Sequence, residues 1–261
     1  MNDDYQKYIS MDFDANEQLM FNSNYLFVRN YATQKNCELT LKALPLARRL
    51  HNGQYRKGDL CIGIDHYKIP YVTHALKVCT TLMALDLPLS HDEMDTLFAS
   101  ALLHDTIEDV TSIFDGTHDE DIMLSYGMTH DVYVCVKTVS KKHDCTEKEL
   151  DQYFNSIKKN KLTLLVKLAD RSHNVEDFYN MSPSKLHEYI KETRRYIYPL
   201  IQYGMTAYPK LINCLTMLQS KIVSLTECTE TITNKYEQIL KEKNDQIDSL
   251  ISQLKKDGLS Q

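Results

Sequence analysis

Glycine is scarce: the 261 residues contain only seven, and none of them builds a glycine-rich loop ahead of a helix. That excludes the P-loop and the dinucleotide-binding fingerprint, in which backbone amides cradle phosphate. The seven cysteines stand singly, with no CxxC pair and an odd count, so neither a zinc knuckle nor a disulfide framework is indicated. They read as reduced thiols, mostly in the core. No stretch approaches the ~20 apolar residues of a membrane span, and the opening Met1-Asn-Asp-Asp-Tyr-Gln-Lys7 lacks the basic-then-apolar pattern of a secretory signal. The cytoplasm is the expected location, with no membrane partner. A basic excess is missing too: the net charge of -6 argues against a general nucleic-acid binder, although a local basic pocket could hold a small anion.

What is present is enough for one sizeable domain with an appendage, since 43% of residues are hydrophobic. The pattern is helical almost throughout. Residues 1–37 read as an acidic leader with a helix over Ala15–Arg29. A helix over Leu39–Asn52 follows despite Pro45, then a turn-like Gly53–Gly58 presenting Arg56 and Lys57, then a loop or small hairpin before Pro70. Helical spacing resumes over Tyr71–Leu87 and stops at Pro88. Ser90 or Asp92 can cap the next helix, with Glu93 in its first turn, and that helix is expected to run to about Asp109. Thr111–Asp121 looks like a polar loop. Helices follow near His130–Lys141, Thr146–Lys158, Lys161–Phe178 and Ser184–Tyr203, the first delivering Lys141 and Lys142 at its C-terminal end, where cations suit the macrodipole.

From Leu211 to Lys256 there is neither glycine nor proline. Leu218, Ile222, Leu225, Thr229, Ile232, Tyr236 and Ile239 alternate in steps of four and three, and a stutter then shifts the seam to Lys243, Ile247, Leu250 and Leu254. This predicts a long helix that pairs with another: most simply its own copy, giving a homo-oligomer, or else the domain it folds back upon. The expected division is a leader (1–37), a domain (38–210) and a C-terminal helix, a coiled coil in the first case (211–261).

The chemistry concentrates in Ala101-Leu-Leu-His-Asp-Thr-Ile-Glu-Asp109. On a helix His104 stacks on Glu108 and Asp105 on Asp109 at i,i+4, while Leu102, Leu103, Ile107 and Val110 fill most of the remaining circumference. A helix apolar on most sides is buried, and buried carboxylates are costly unless paired, protonated or bound to a cation. Two other segments, Pro70-Tyr-Val-Thr-His74 and Lys167-Leu-Ala-Asp-Arg-Ser-His-Asn174, also set potential ligands in apolar surroundings. Together they suggest one metal site of His74, His104, Asp105 and Asp170. Nitrogen and oxygen donors without thiolate favour Mn, Fe, Co, Zn or Mg. The plainer readings are a hydrogen-bonded core histidine for His74 and pairing with Arg171 or Lys167 for Asp170.

His-Asn-Gly-Gln-Tyr-Arg-Lys (51–57), Pro-Tyr-Val-Thr-His (70–74), Ala-Leu-Leu-His-Asp-Thr-Ile-Glu-Asp (101–109) and Val-Lys-Leu-Ala-Asp-Arg-Ser-His-Asn (166–174) occur in that order. Over roughly residues 40–205 the chain resembles the HD-type hydrolase domain of the RelA/SpoT homologue family, which degrades the alarmone (p)ppGpp. The resemblance implies an all-α helical bundle and Mn(II), or another divalent ion, on His74, His104, Asp105 and Asp170. It also implies a catalytic Glu108–Asp109 pair that orients or deprotonates water, and a nucleotide pocket lined by Arg56, Lys57 and Asn174, with Lys141 or Lys142 reaching a phosphate. The implied reaction removes the 3'-pyrophosphate, giving GDP or GTP and pyrophosphate. Only about fifty residues follow this region, so a stand-alone hydrolase without a synthetase domain is expected.

Two departures stand out. Leu60–Ile69 intervenes where family members move quickly from Arg-Lys to Gly-x-Pro-Tyr, and Glu176 stands where an arginine is common. They support a second reading, and a third stands beside it. The second is an HD phosphohydrolase acting on an adenine alarmone or a nucleoside phosphate. The third is a non-enzymatic, metal-containing module that its coiled coil oligomerises.

Overall fold

The computed structural model describes the backbone of residues 15–62, 65–142 and 144–256. The fold is all-α with one hairpin: α1 (Ala15–Gln34), α2 (Glu38–Leu50), β1 (Tyr55–Ile62), β2 (Asp65–Pro70), α3 (Val72–Met83), α4 (His91–Leu103), α5 (Thr106–Asp109), α6 (Asp119–Ser125), α7 (His130–Val139), α8 (Glu147–Ile157), α9 (Lys161–Asn174), α10 (Pro183–Glu192), α11 (Tyr198–Ala207) and α12 (Ile212–Lys256). Residues 1–14 of the expected leader and 257–261 of the expected C-terminal region lie outside the described residues. Among the described residues no helix is long and apolar enough to cross a membrane.

The central element is α4. Ser90 accepts the Glu93 amide at 3.2 Å while Glu93 accepts the Ser90 amide at 3.1 Å, closing a capping box. Behind that cap every residue from Asp95 to Leu103 is buried, because α2, α3, α7 and α9 pack around the helix. One polar residue in this run has a structural task. The cap position of α2 is Cys37, whose side chain caps nothing; instead the buried Asp95 carboxylate accepts from the Leu39 amide (2.9 Å), the Thr40 amide (2.8 Å) and the Thr40 hydroxyl (2.7 Å). Asp95→Ala would strand these donors, and we expect a loss of about 3 kcal/mol, read as a shift in the urea midpoint. Asp95→Asn, which keeps one acceptor oxygen, should lose clearly less.

The chain departs from the expected helix over 90–109 at His104–Asp105. There the His104 ring takes the carbonyl of Ala101 at 2.9 Å and the Thr106 hydroxyl that of Leu103 at 2.6 Å. In an uninterrupted helix the amides of Asp105 and Ile107 would take these carbonyls. The interruption sets His104 at the end of α4 and Asp105 at the head of the four-residue α5. Two other expectations are corrected. Part of the predicted polar loop is the short helix α6, and the single helix predicted over Ser184–Tyr203 is α10 and α11 joined by a π-helical turn at Thr193–Ile197. Pro199 has no N–H for the Arg195 carbonyl, so the ladder changes register just before it.

The segment before Pro70 is the antiparallel hairpin β1–β2, with Tyr55 opposite Pro70 and Asp59 opposite Lys68. Gly53, at φ +76°, makes the turn that admits it. Arg56 thereby sits on a strand rather than in the predicted turn. The long helix α12 spans 45 residues, about 67 Å. Its first half folds back on the domain, burying Cys214, Leu215, Leu218, Ile222 and Thr226 and pairing Glu227 with Arg194 (2.6 Å); just beyond, Glu237 pairs with His187 (2.8 Å). Farther on, Ile239, Leu240, Ile247, Leu250 and Leu254 are all exposed.

Candidate metal centre and its surroundings

Three helices bring the donors together. His74 lies in the first turn of α3, His104 closes α4 and Asp170 comes from the last turn but one of α9; all three are buried, and their ligand atoms lie within 4.8 Å of one another. Asp105 joins them. Its Oδ2 is 3.0 Å from His104 Nε2 and 3.5 Å from His74 Nε2, while Asp170 Oδ1 is 3.2 Å from His74 Nε2 and 3.8 Å from His104 Nε2. The two Nε2 atoms face each other at 3.2 Å.

The proton inventory of this cluster decides what it fits. The Nδ1 of His104 is engaged with a carbonyl oxygen, which can only accept, so the ring carries its proton there and, when neutral, a lone pair on Nε2. That lone pair looks at two carboxylate oxygens and another ring nitrogen, so the centre needs positive charge. Burial alone would lower the pKa of His104, but Asp105 and Asp170 outweigh it and push it up to about 10. Burial would likewise raise both aspartates, yet the pull of His104 holds Asp105 below the usual carboxylate range, and that of Lys167 does the same for Asp170. Metal–ligand bonds of ~2.0–2.2 Å put neighbouring donors roughly 3.0–3.4 Å apart, close to the separations found here. The residues fit a divalent ion.

A second layer holds these donors. Lys167 Nζ pairs with Asp170 Oδ2 at 2.8 Å, while the Asn174 amide donates to Oδ1 at 2.5 Å; the expected Lys167 pairing thus coexists with the cluster and takes the other oxygen. The Tyr71 hydroxyl donates to Asp105 Oδ2 at 2.6 Å, and its ring packs between His51 and His74, with centroids at 5.0 and 5.8 Å. His51 Nδ1 meets Gln54 Oε1 at 2.6 Å, and Gln54 donates to the Asp109 carbonyl at 3.1 Å. His173 Nδ1 lies 2.7 Å from His74 Nδ1. Burial, reinforced by His74 and Arg56, holds the pKa of His173 down to about 2, so its ring is neutral. Sequence reasoning gave no role to His51, Gln54, Tyr71 or His173. The signal available for His173 was its position three residues after Asp170 on the same helix.

Glu108 and Asp109 follow on α5. Burial raises the pKa of both, and the charge of Asp105 adds to the effect. Glu108 Oε2 accepts the Lys141 amide at 2.7 Å. The Lys141 ammonium turns instead to Glu192, at 3.1 Å. Glu192 also pairs with the buried Arg171, whose guanidinium lies 3.9 Å from the centroid of the Tyr189 ring. So Lys141 reaches the acid pair through its backbone, with its charge already engaged.

Of the remaining predicted contacts, Arg56 donates to Asn174 Oδ1 (3.0 Å) and to Asp177 Oδ2 (2.5 Å). Both ends of the Asn174 amide are therefore taken, one by Arg56 and one by Asp170. The Lys57 side chain lies outside the described residues. Lys142 is exposed in the loop after α7. Glu176, the unexpected carboxylate, pairs with Lys221 of α12.

No family model matches the chain. Curated proteins do. RSH1 of Arabidopsis thaliana, a chloroplastic protein named for GTP diphosphokinase activity, is 26% identical over 223 residues, 82% of this chain and 24% of its own length. The bifunctional (p)ppGpp synthase/hydrolase SpoT of Escherichia coli K12 is 26% identical over 189 residues, 69% of this chain and 24% of SpoT. The GTP pyrophosphokinase rsh of Brucella ovis is 32% identical over 180 residues, 66% of this chain and 21% of that protein. The chain thus spans about a quarter of the length of the curated relatives it matches. Relatives from plants and bacteria agree on one assignment, and the chain belongs to the RelA/SpoT homologue family.

Proposed function

We propose that the protein is a metal-dependent hydrolase of the HD type that removes the 3'-pyrophosphate from guanosine alarmones, leaving GDP or GTP. The observation that carries this reading is the convergence of two imidazole Nε2 atoms and two carboxylate oxygens at 3.0–3.8 Å with an acid pair one turn beyond. Residues 38–210 would form the catalytic unit.

In this reading His74, His104, Asp105 and Asp170 hold the ion, with Mn(II) the expected species. A divalent ion so held acidifies water and takes up charge on phosphoryl oxygens. The chain's own groups supply the rest. Hydrolysis forms a bond from water oxygen to the phosphorus nearest the ribose and breaks the bond from that phosphorus to the 3' oxygen. The water must lose a proton and the leaving oxygen must gain one. Glu108, held by the Lys141 amide through one oxygen, has its other oxygen for that proton, and Asp109 is its partner in the transfer. Burial raises the pKa of both, as suits groups that exchange protons near neutrality. Arg56 neutralises phosphate charge once a phosphate displaces Asp177 from it. Asn174 contacts the nucleotide by exchanging one of its two present hydrogen bonds.

The relatives are named for both synthesis and hydrolysis, so the assay has two arms. The protein should release pyrophosphate from ppGpp and form no ppGpp from ATP and GDP. An adenine counterpart and simple nucleoside phosphates belong in the same panel; faster turnover of one of these would transfer the metal chemistry to another nucleotide and discard the guanosine assignment. We place this activity in the cytoplasm.

The exposed second half of α12 continues the heptad seam and carries Ile239, Ile247, Leu250 and Leu254. We propose that it pairs with the same segment of a second copy as a coiled coil. Sedimentation should then give a dimer or larger assembly for the full chain and a monomer when Ile247, Leu250 and Leu254 are replaced by Glu. A monomeric full chain at micromolar concentration would refute the pairing.

A further inference from the structure

Metal binding sets a condition on His74 that none of the four donors can meet. A neutral histidine that ligates through Nε2 carries its proton on Nδ1, and a buried Nδ1–H needs an acceptor. His104 meets the condition locally, through the Ala101 carbonyl. For His74 the partner of Nδ1 is another imidazole: Nδ1 of His173, at 2.7 Å. That ring is buried, 5% exposed, and packs on His74 with a centroid distance of 4.8 Å. Only one proton fits between two ring nitrogens. If His173 supplied it, a neutral His74 would carry its own proton on Nε2, the atom facing His104, Asp105 and Asp170, and could not ligate.

We infer that His173 is a positioning residue for the metal centre: its Nδ1 accepts the hydrogen bond from His74 Nδ1, its own proton sits on Nε2, and His74 Nε2 is thereby kept open as a ligand. The inference rests on the metal-site reading above and adds a residue to it. It also gives α9 two tasks within one turn. Asp170 would be a ligand itself, and His173 would set the tautomer of a ligand that α3 supplies. Such support of ligating histidines by a second residue typically governs metal affinity by about 10–100-fold.

The test is titration of the full chain with Mn(II) alone, comparing wild type, His173→Leu and His173→Asn, with melting curves recorded in chelator. Leucine fills the volume and accepts nothing, whereas the asparagine oxygen comes close to the position of the histidine Nδ1. His173→Leu should bind Mn(II) about 10–100-fold more weakly, and His173→Asn should recover most of the loss. A wild type that binds no divalent ion overturns the metal-site reading itself. A wild type that binds, with His173→Leu binding equally well, overturns the role of His173 alone. Should His173→Leu fail to fold, nitrogen-15 spectra of the zinc-loaded wild type decide the matter. They should place the His74 proton on Nδ1 and the His173 proton on Nε2, and the proton of His173 on Nδ1 would contradict the inference.

Discussion

Asp105→Ala should lose bound Mn(II) and, with it, at least ~10³-fold of the pyrophosphate release from ppGpp. The magnitude follows from the several kcal/mol that a bound divalent ion contributes to phosphoryl chemistry, each ~1.4 kcal/mol of which is a factor of ten in rate. Of the four proposed ligands Asp105 is the informative one to remove because it is the least buried, with a side chain 19% exposed, and its loss opens no large cavity. The variant leaves behind the Tyr71 hydroxyl and the Nε2 of His104, both of which water can reach once the carboxylate is gone. Metal content after dialysis and initial rates should therefore fall together while the fold persists. An Asp105→Ala protein that keeps both metal and turnover would remove this residue from the site.

Glu108→Gln should behave in the opposite way toward metal. The Lys141 amide holds Glu108, and the substitution leaves all four proposed ligands in place, so Mn(II) should remain at the wild-type stoichiometry. Turnover should drop by about 10²–10⁴-fold, the usual contribution of a positioned proton-transfer group. Glutamine can still accept the Lys141 amide, so the loop after α7 keeps its anchor and KM should change little. That split, with kcat falling at constant metal and nearly constant KM, separates a proton-transfer role from a structural one. Full activity in Glu108→Gln would move the role to Asp109, which Asp109→Asn would then test.

The convergence of His74, His104, Asp105 and Asp170 was legible in the sequence for a physical reason. Histidine and aspartate inside runs such as Ala-Leu-Leu-His-Asp and Lys-Leu-Ala-Asp are expensive to bury, and three such segments point to a common compensating charge. Local signals were equally readable: a cap at Ser90 or Asp92 with Glu93 in the first turn, which the structure resolves in favour of Ser90, the helix that tolerates Pro45, and the uninterrupted length of α12. What surrounds these four side chains was not readable. Arg56 meets Asn174 and Asp177, and Tyr71 meets Asp105, across distances in sequence that leave no periodic trace. The interruption at His104–Asp105 was hidden as well, because it depends on two side chains competing for carbonyls that an idealised helix assigns to amides. Glu176 shows the limit from the other side. As a sequence position it stood out as a carboxylate where an arginine is common, whereas its partner is Lys221 on α12, the helix whose folding back on the domain the sequence offered only as the second of two pairings.

The most direct measurement is the time course of pyrophosphate and GDP formed from ppGpp by the purified full chain, with Mn(II) in one arm and chelator in the other. The account predicts that both products appear together, in equal amounts, and only in the Mn(II) arm. If Mn(II) binds and neither product forms, this chain is not an alarmone 3'-pyrophosphohydrolase.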